Sequence, residues 1–106
     1  MTNRWTEEQG GVATEQETKQ TAKTPRLYKV LLHNDNYTTR DFVVLVLVSI
    51  FRKPEPEAVQ IMLDVHYKGT GVVGVYPRDI AETRVQAVID LARREQFPLM
   101  CTMEAE

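Results

Sequence analysis

The sequence predicts a small α+β domain in which helices pack against a three-stranded antiparallel sheet. Strand and helix patterns follow one another in the order strand, helix, helix, strand, helix, strand. Prolines and glycines separate these segments, and no internal repeat is visible. At 106 residues the chain is long enough for one core and too short for two. We expect the folded domain to span residues 25–106.

Residues 1–24 are predicted to form a disordered N-terminal arm. The stretch contains no Leu, Ile or Phe, and Trp5 and Val12 are its sizeable apolar side chains. Such a segment cannot bury enough apolar surface to offset its loss of conformational entropy on ordering. Two interpretations remain open: a dispensable tail, or a tether that orders on a partner with Trp5 as its anchor.

The first strand is predicted at residues 27–32, which are rich in residues that suit a pleated sheet. It ends in a run of short polar side chains, Asn34, Asp35 and Asn36. These residues favour turns because their side chains form hydrogen bonds with nearby backbone groups. A polar loop therefore follows the strand.

The first helix is predicted after Thr38 or Thr39, either of which can cap it. In residues 42–51 only Ser49 interrupts the apolar run, so periodicity does not separate a buried helix from a strand. The β-branched residues favour a strand, whereas the preceding cap and the length of the run favour a helix. We interpret the run as a helix.

Pro54 and Pro56 end this helix and begin the next one, and Gly69 is a favourable terminator for the second helix. Its apolar residues fall on one face: Ala58, Ile61, Met62 and Val65.

The remaining elements are a second strand, a third helix and a short final strand. They are predicted at residues 72–76, 79–95 and 99–103, and Pro77 and Pro98 mark the breaks between them.

Composition excludes several classes of protein. The formal net charge of −2 argues against a nucleic-acid-binding protein. Cys101 is the only cysteine, so there is no disulfide framework. The start of the chain lacks the apolar segment of a signal peptide, and residues 42–48, the longest apolar run, fall short of the roughly 20 residues of a membrane span. We expect a cytoplasmic protein that binds neither nucleic acid nor membranes.

Enzyme chemistry has weak support. Cys101 lies in a predicted strand far along the chain from either histidine, which is typical of a core cysteine. His33, Asp35 and His66 have the side chains of a zinc site, but no metal-binding spacing supports one. The glycines of residues 69–74 imitate a dinucleotide fingerprint but lead into a strand. We expect a protein that is not an enzyme and needs no cofactor or metal.

A binding site for a ligand with a charged head and an apolar tail fits the sequence better. Asn34 and Asp35 carry acceptor oxygens for an ammonium group, and a neutral His66 can also accept. An apolar wall is available from Leu32, Val43, Met62 and Val65. The alternative remains open that these apolar residues are simply core and that His66 caps its own helix.

Between residues 27 and 104 the chain contains, in this order, the short motifs Tyr28-Lys29-Val30, Asn34-Asp35, Tyr37-Thr38, Phe42-Val43, Met62-Leu63-x-Val65-His66-x-x-Gly69, Ala81-Glu82-Thr83 and Pro98-Leu99-x-x-Thr102. In this combination they resemble ClpS, the adaptor family of bacterial ATP-dependent Clp proteases. The resemblance implies an N-end rule adaptor that captures proteins by a bulky first residue (Leu, Phe, Tyr or Trp) with a free α-amino group. It also implies delivery of these N-degrons to ClpA, the unfoldase of the ClpAP protease.

The resemblance further implies a role for each matching residue. Contacts to the α-amino group and backbone of the substrate fall on Asn34, Asp35, Asn36 and His66. The hydrophobic pocket falls on Leu32, Thr38, Arg40, Val43, Met62, Val65 and Leu99. The surface that docks on the unfoldase falls near Asp79 and Arg84.

Two positions depart from the family pattern. Asn36 stands where the family commonly has an acidic residue, and Arg40 stands where it usually has Met at the mouth of the pocket. We expect weaker ammonium binding, or dependence on other contacts, from the first change. For the second change two interpretations remain open: the long stem of Arg40 shapes the rim with its charge in water, or Arg40 repels basic second residues. An alternative reading is a paralogue that docks on the unfoldase and modulates its substrate choice without binding degrons. Leu45 and Val48 are expected on an exposed helix face. Two interpretations remain open: an apolar patch for self-association or an added contact, or scattered apolar surface residues.

Overall fold

The computed structural model describes residues 25–106, so the predicted arm at residues 1–24 lies outside the described residues. The elements, in chain order, are β1 (Leu27–His33), α1 (Arg40–Ser49), α2 (Glu55–Lys68), β2 (Thr70–Pro77), α3 (Arg78–Arg94) and β3 (Met100–Ala105). The predicted α+β class and element order are confirmed, including the helical reading of α1. Among residues 25–106, no helix has the length and apolarity needed to cross a membrane.

The sheet is antiparallel and has the order β2-β1-β3, so β1 lies in the middle. The register between β1 and β2 shifts after Val30: Val30 pairs with Gly74, whereas the next residue, Leu31, pairs with Val72. Val73 is therefore the extra residue of a β-bulge, and its side chain is buried. The bulge breaks the strict alternation of β2 and keeps an apolar side chain in the core.

The core lies between one face of the sheet and the three helices. Val30 and Leu32, at alternating positions of β1, are completely buried. From α1 the buried residues are Phe42, Val43, Val46 and Leu47, whose spacing is that of one helix face. The opposite face of α1 carries Leu45 and Val48, which are 51% and 38% exposed.

Local signals at the ends of the helices explain how the candidate site is positioned. Thr39 is the N-cap of α1, and its Oγ1 accepts a hydrogen bond from the backbone N–H of Phe42 at 3.1 Å. Gly69 ends α2 with a φ of 92°, a left-handed conformation that glycine adopts without strain. The backbone N–H of Asn34 donates to the carbonyl of Gly69 at 2.8 Å, which joins the end of α2 to the loop after β1.

Close packing of β2 on α2 reinforces this junction. A Cβ atom added to Gly71 would lie 2.7 Å from Cγ2 of Val65, so the strand approaches the helix more closely than any larger residue allows. The last turn of α2, which carries His66, is consequently seated directly against the sheet.

Candidate functional site

The loop of residues 34–39, which follows β1, is organised around the carboxylate of Asp35. Its Oδ1 accepts hydrogen bonds from the backbone N–H groups of Tyr37 at 2.8 Å and Thr38 at 2.7 Å. Its Oδ2 accepts a third from the hydroxyl of Thr38 at 2.7 Å. Both carboxylate oxygens are thus engaged by the loop itself, which makes Asp35 the residue that shapes the loop.

Partial burial raises the pKa of Asp35, whereas the hydrogen bonds from the side chain and backbone of Thr38 and from the backbone of Tyr37 lower it. The hydrogen bonds prevail, so the pKa of Asp35 lies below its ordinary value. The carboxylate is therefore charged at neutral pH and places one negative charge beside the loop.

Asn34 connects the same loop to the end of α2. Its Nδ2 lies 3.5 Å from the carbonyl oxygen of His66, a long hydrogen bond in which the amide nitrogen donates. Within residues 25–106 no hydrogen-bond donor contacts Oδ1 of Asn34. That exposed amide oxygen is available to accept a hydrogen bond from a ligand.

A cavity of about 420 Å³ lies between this loop, α1 and α2, and we call it the α1–α2 cavity. Its bottom is formed by the apolar side chains of Val43, Met62 and Val65, which are 6%, 9% and 2% exposed. The other lining residues are Asn34, Asp35, Asn36, Tyr37, Thr38, Thr39, Arg40 and His66. The exposed ones among these form the rim. The volume is in the range of small-ligand sites, roughly 300–1,000 Å³.

Arg40 and His66 face each other on the rim. Nη2 of Arg40 lies 2.8 Å from Nε2 of His66. A guanidinium group has donors and no acceptor, so Arg40 donates and Nε2 of His66 accepts. The rings of His66 and Tyr67 pack edge to face, with their centroids 4.8 Å apart. The imidazole acceptor is consequently occupied by a side chain of the same protein.

Comparison with known proteins assigns the chain to a family. The family model described as "ATP-dependent Clp protease adaptor protein ClpS" matches residues 23–102. The chain belongs to the ClpS family. It is 59% identical over 95 residues to the ATP-dependent Clp protease adapter protein ClpS of Myxococcus xanthus, covering 90% of this chain and 89% of that protein.

Two further relatives of the ClpS family cover most of the chain. The ClpS of Desulfatibacillum aliphaticivorans is 51% identical over 100 residues, which cover 94% of both chains. The solved structure of Agrobacterium tumefaciens ClpS2 bound to L-phenylalaninamide matches with a TM-score of 0.76 and 47% identity, covering 78% of this chain and all of that one. The described domain therefore has the ClpS fold.

The structure brings most of the predicted site residues together. All four residues expected to contact the α-amino group and backbone line the α1–α2 cavity: Asn34, Asp35, Asn36 and His66. Of the residues expected in the hydrophobic pocket, five also line it: Thr38, Arg40, Val43, Met62 and Val65. Tyr37 and Thr39 line it as well and were not predicted, although their place between Asn36 and Arg40 was a usable signal.

Leu32 and Leu99 are not among the residues that line this cavity. Leu32 is completely buried in the middle of the sheet, where it pairs with Gly71 and Cys101. Leu99 is 5% exposed and lines a separate cavity of about 290 Å³ near the end of α3. Both leucines are buried in the core, and neither is among the residues that line the α1–α2 cavity.

Asp79 and Arg84, the residues expected to dock on the unfoldase, lie together on α3. With Ile80 and Thr83 they line a shallow cavity of about 250 Å³ that shares no residue with the α1–α2 cavity. Nη1 of Arg84 also donates to the carbonyl of Ile50 at 3.3 Å. Arg84 therefore ties α3 to the end of α1 as well as contributing to this surface.

The residues weighed for a zinc site and for catalysis have other surroundings in the described domain. Within residues 25–106, no three His, Cys, Asp or Glu side chains are grouped so as to hold a metal ion. Nε2 of His33 instead lies 2.7 Å from Oγ1 of Thr102 on β3. Cys101 is buried, and burial raises the pKa of its thiol to about 12. At neutral pH the group is a thiol in the core.

Proposed function

We propose that this chain is an adaptor that binds proteins with a bulky hydrophobic first residue and a free α-amino group, and delivers them to the ClpA unfoldase of ClpAP. The observation that carries the proposal is the α1–α2 cavity, in which an apolar bottom lies directly below acceptor groups on the rim. The ligand of the related ClpS2 structure, L-phenylalaninamide, supports it. That compound combines an aromatic side chain with a free α-amino group.

The apolar bottom of the cavity would receive the side chain of the first residue. Val43, Met62 and Val65 provide carbon and sulfur surface, and the unbranched Met62 can adapt its conformation to ligands of different shape. Burying a Leu or Phe side chain contributes roughly 1.5–3 kcal/mol. This contribution selects bulky apolar residues but does not by itself distinguish a chain end from an internal residue.

The rim would supply that distinction. Asn34, Asn36 and His66 carry acceptor atoms beside the apolar bottom, and the charge of Asp35 lies next to them. Only the first residue of a chain has an ammonium group attached to the same carbon as its side chain. A site that requires both groups therefore rejects internal residues. Because both oxygens of Asp35 are engaged by its own loop, its contribution is loop shape and charge.

Delivery to the unfoldase would use a different surface. Asp79 is exposed in the first turn of α3, and Arg84 lies one turn further along the same helix. This surface shares no lining residue with the α1–α2 cavity, so the proposal assigns the degron and the unfoldase to separate surfaces. Charge reversal at Asp79, D79K, tests the assignment, since it alters an exposed side chain without removing the contact between Arg84 and Ile50.

A second candidate function is supported by the hydrogen bond between Arg40 and His66. If Arg40 holds the imidazole permanently, the chain would dock on the unfoldase and modulate its substrate choice without binding degrons.

Calorimetric titration with peptides that begin with Leu, Phe, Tyr, Trp or Arg separates the two functions. For the adaptor, peptides with bulky apolar first residues bind, and N-acetylation of the same peptides strongly weakens their binding. For the modulator, no free peptide binds better than its acetylated form. Degradation of a reporter with an N-terminal Phe by ClpA and ClpP then tests delivery, which D79K is expected to slow without changing the affinity for peptide.

A further inference from the structure

Arg40 is a positive charge at the rim without a carboxylate partner in the described domain. No ion pair within residues 25–106 includes its guanidinium, whose polar contact is Nε2 of His66. Among the lining residues in that part of the chain, Asp35 has the single carboxylate, and both of its oxygens accept hydrogen bonds from Tyr37 and Thr38. Within residues 25–106, the rim therefore offers an exposed cationic donor that no carboxylate pairs with.

A ligand bound as proposed brings a second charge to this position. Its ammonium needs acceptors on the rim, and Nε2 of His66 becomes available only when Arg40 moves away. The ammonium and the guanidinium also repel each other. Arg40 must therefore exchange a neutral nitrogen acceptor for another acceptor, and the best one for a planar guanidinium is a carboxylate.

The second residue of the ligand is the nearest place where such a carboxylate can be carried. In the proposed complex, the side chain of the ligand's first residue points to the apolar bottom, and the α-ammonium group of that residue lies at the rim. The rest of the ligand peptide therefore leaves the cavity past the exposed lining residues. Arg40 is one of these residues, and its long flexible side chain can reach the second residue of the ligand. A carboxylate there would draw the guanidinium away from His66 and offset the repulsion of the ammonium.

We infer that Arg40 is a specificity-determining residue that favours substrates with Asp or Glu at the second position and disfavours those with Lys or Arg there. The inference rests on the proposed function, because it concerns which chain ends the same cavity accepts. Since Arg40 is exposed, the effect is that of a solvent-accessible ion pair, about two- to fivefold in affinity.

Three peptides that are identical except for Phe-Glu, Phe-Gln or Phe-Lys at their start test this inference by calorimetry. For the native chain, Phe-Glu is expected to bind about two- to fivefold tighter than Phe-Gln, and Phe-Lys to bind weaker by a similar factor. The order is expected to flatten in R40Q and to invert in R40E. High salt is expected to flatten it in the native chain, because the pair is exposed.

K68Q is the matched control. Lys68 is two residues after His66 on α2, is exposed and does not line the cavity, so its loss removes one nearby positive charge without changing the rim. The peptide order is expected to persist in K68Q. Equal binding of all three free peptides, or an order that survives in R40Q, overturns the inference and leaves the proposed function intact. Equal binding of free and acetylated Phe-Gln peptides overturns the proposed function itself.

Discussion

Thr38 donates twice to the carboxylate of Asp35, from its backbone N–H at 2.7 Å and from its hydroxyl at 2.7 Å. Together with the bond from Tyr37, these contacts fix the conformation of the 34–39 loop. The loop supplies most of the polar lining of the α1–α2 cavity. Its conformation is thus set by local hydrogen bonds.

Replacing Thr38 with valine removes one of these bonds while keeping the branched shape of the side chain. We expect T38V to lower the free energy of unfolding by about 1 kcal/mol, because the acceptor is charged but partly exposed. Urea denaturation measures the change. T83V is the control, since Thr83 is exposed and its hydroxyl donates to the carbonyl of Asp79 within α3. A loss in T83V as large as that in T38V would contradict the role of the loop.

The low pKa of Asp35 predicts a dependence of stability on pH. Above the ordinary pKa of aspartate, about 3.9, the carboxylate is charged in both states and its hydrogen bonds contribute fully. As the pH falls through the lower pKa of the folded state, that contribution is lost. The stability difference between the native chain and D35N is therefore expected to be constant near neutral pH and to shrink in acid.

Urea denaturation across pH measures this difference. D90N, at an exposed position of α3, corrects for the loss of one negative charge. A difference between the native chain and D35N that grows in acid would contradict the assignment.

Removing the guanidinium of Arg40 is expected to free the imidazole for the ligand. R40M should bind a peptide with a neutral second residue, such as Phe-Ala, about two- to fivefold tighter than the native chain does. Two causes contribute: Nε2 of His66 no longer has an internal donor, and a like charge near the ammonium is lost. Calorimetry measures the gain. Unchanged affinity in R40M would mean that Arg40 does not compete with the ligand.

His66 is expected to contribute to recognition of the α-amino group more than to burial of the side chain. H66A should weaken a Phe peptide with a free amino group about tenfold, because a hydrogen bond to a charged group is lost. The residual binding of the acetylated peptide should not change. The matched control is H33Q, since His33 contacts Thr102 and does not line the cavity. Equal losses for the free and acetylated peptides would assign His66 a purely steric role.

Cys101 is expected to be unreactive in the folded protein. Burial raises the pKa of its thiol to about 12, so little thiolate exists at neutral pH, and the side chain is 4% exposed. Alkylation followed by mass spectrometry gives a clear result because the chain has one cysteine. Labelling should be slow in native buffer and fast in denaturant. Rapid native labelling would show that β3 separates readily from the sheet.

Much of the fold was predictable because its signals are local. The turn after β1, the left-handed Gly69 and the prolines that separate the helices all act within a few residues. The helical identity of α1 was harder to predict, because its apolar run is almost uninterrupted. The structure resolves it: Phe42, Val43, Val46 and Leu47 face the core, whereas Leu45 is half exposed.

The parts that escaped prediction depend on contacts between distant segments. The bulge at Val73 interrupts the alternation of β2. It depends on the pairing of β2 with β1, a strand distant in sequence, so a short stretch of sequence does not reveal it. The complete burial of Leu32 likewise depends on its pairing with two neighbouring strands. The hydrogen bond between Arg40 and His66 joins residues that are 26 positions apart in sequence. It forms because the arginine side chain is long enough to reach the imidazole.

Arg40 is the first residue of α1, and Ile50, whose carbonyl accepts the hydrogen bond from Arg84, directly follows the last. A helix of ten residues measures about 15 Å. If the proposed function holds, the bound first residue would lie at one end of α1 and the unfoldase near the other end, so about one helix length would separate the two partners on the adaptor.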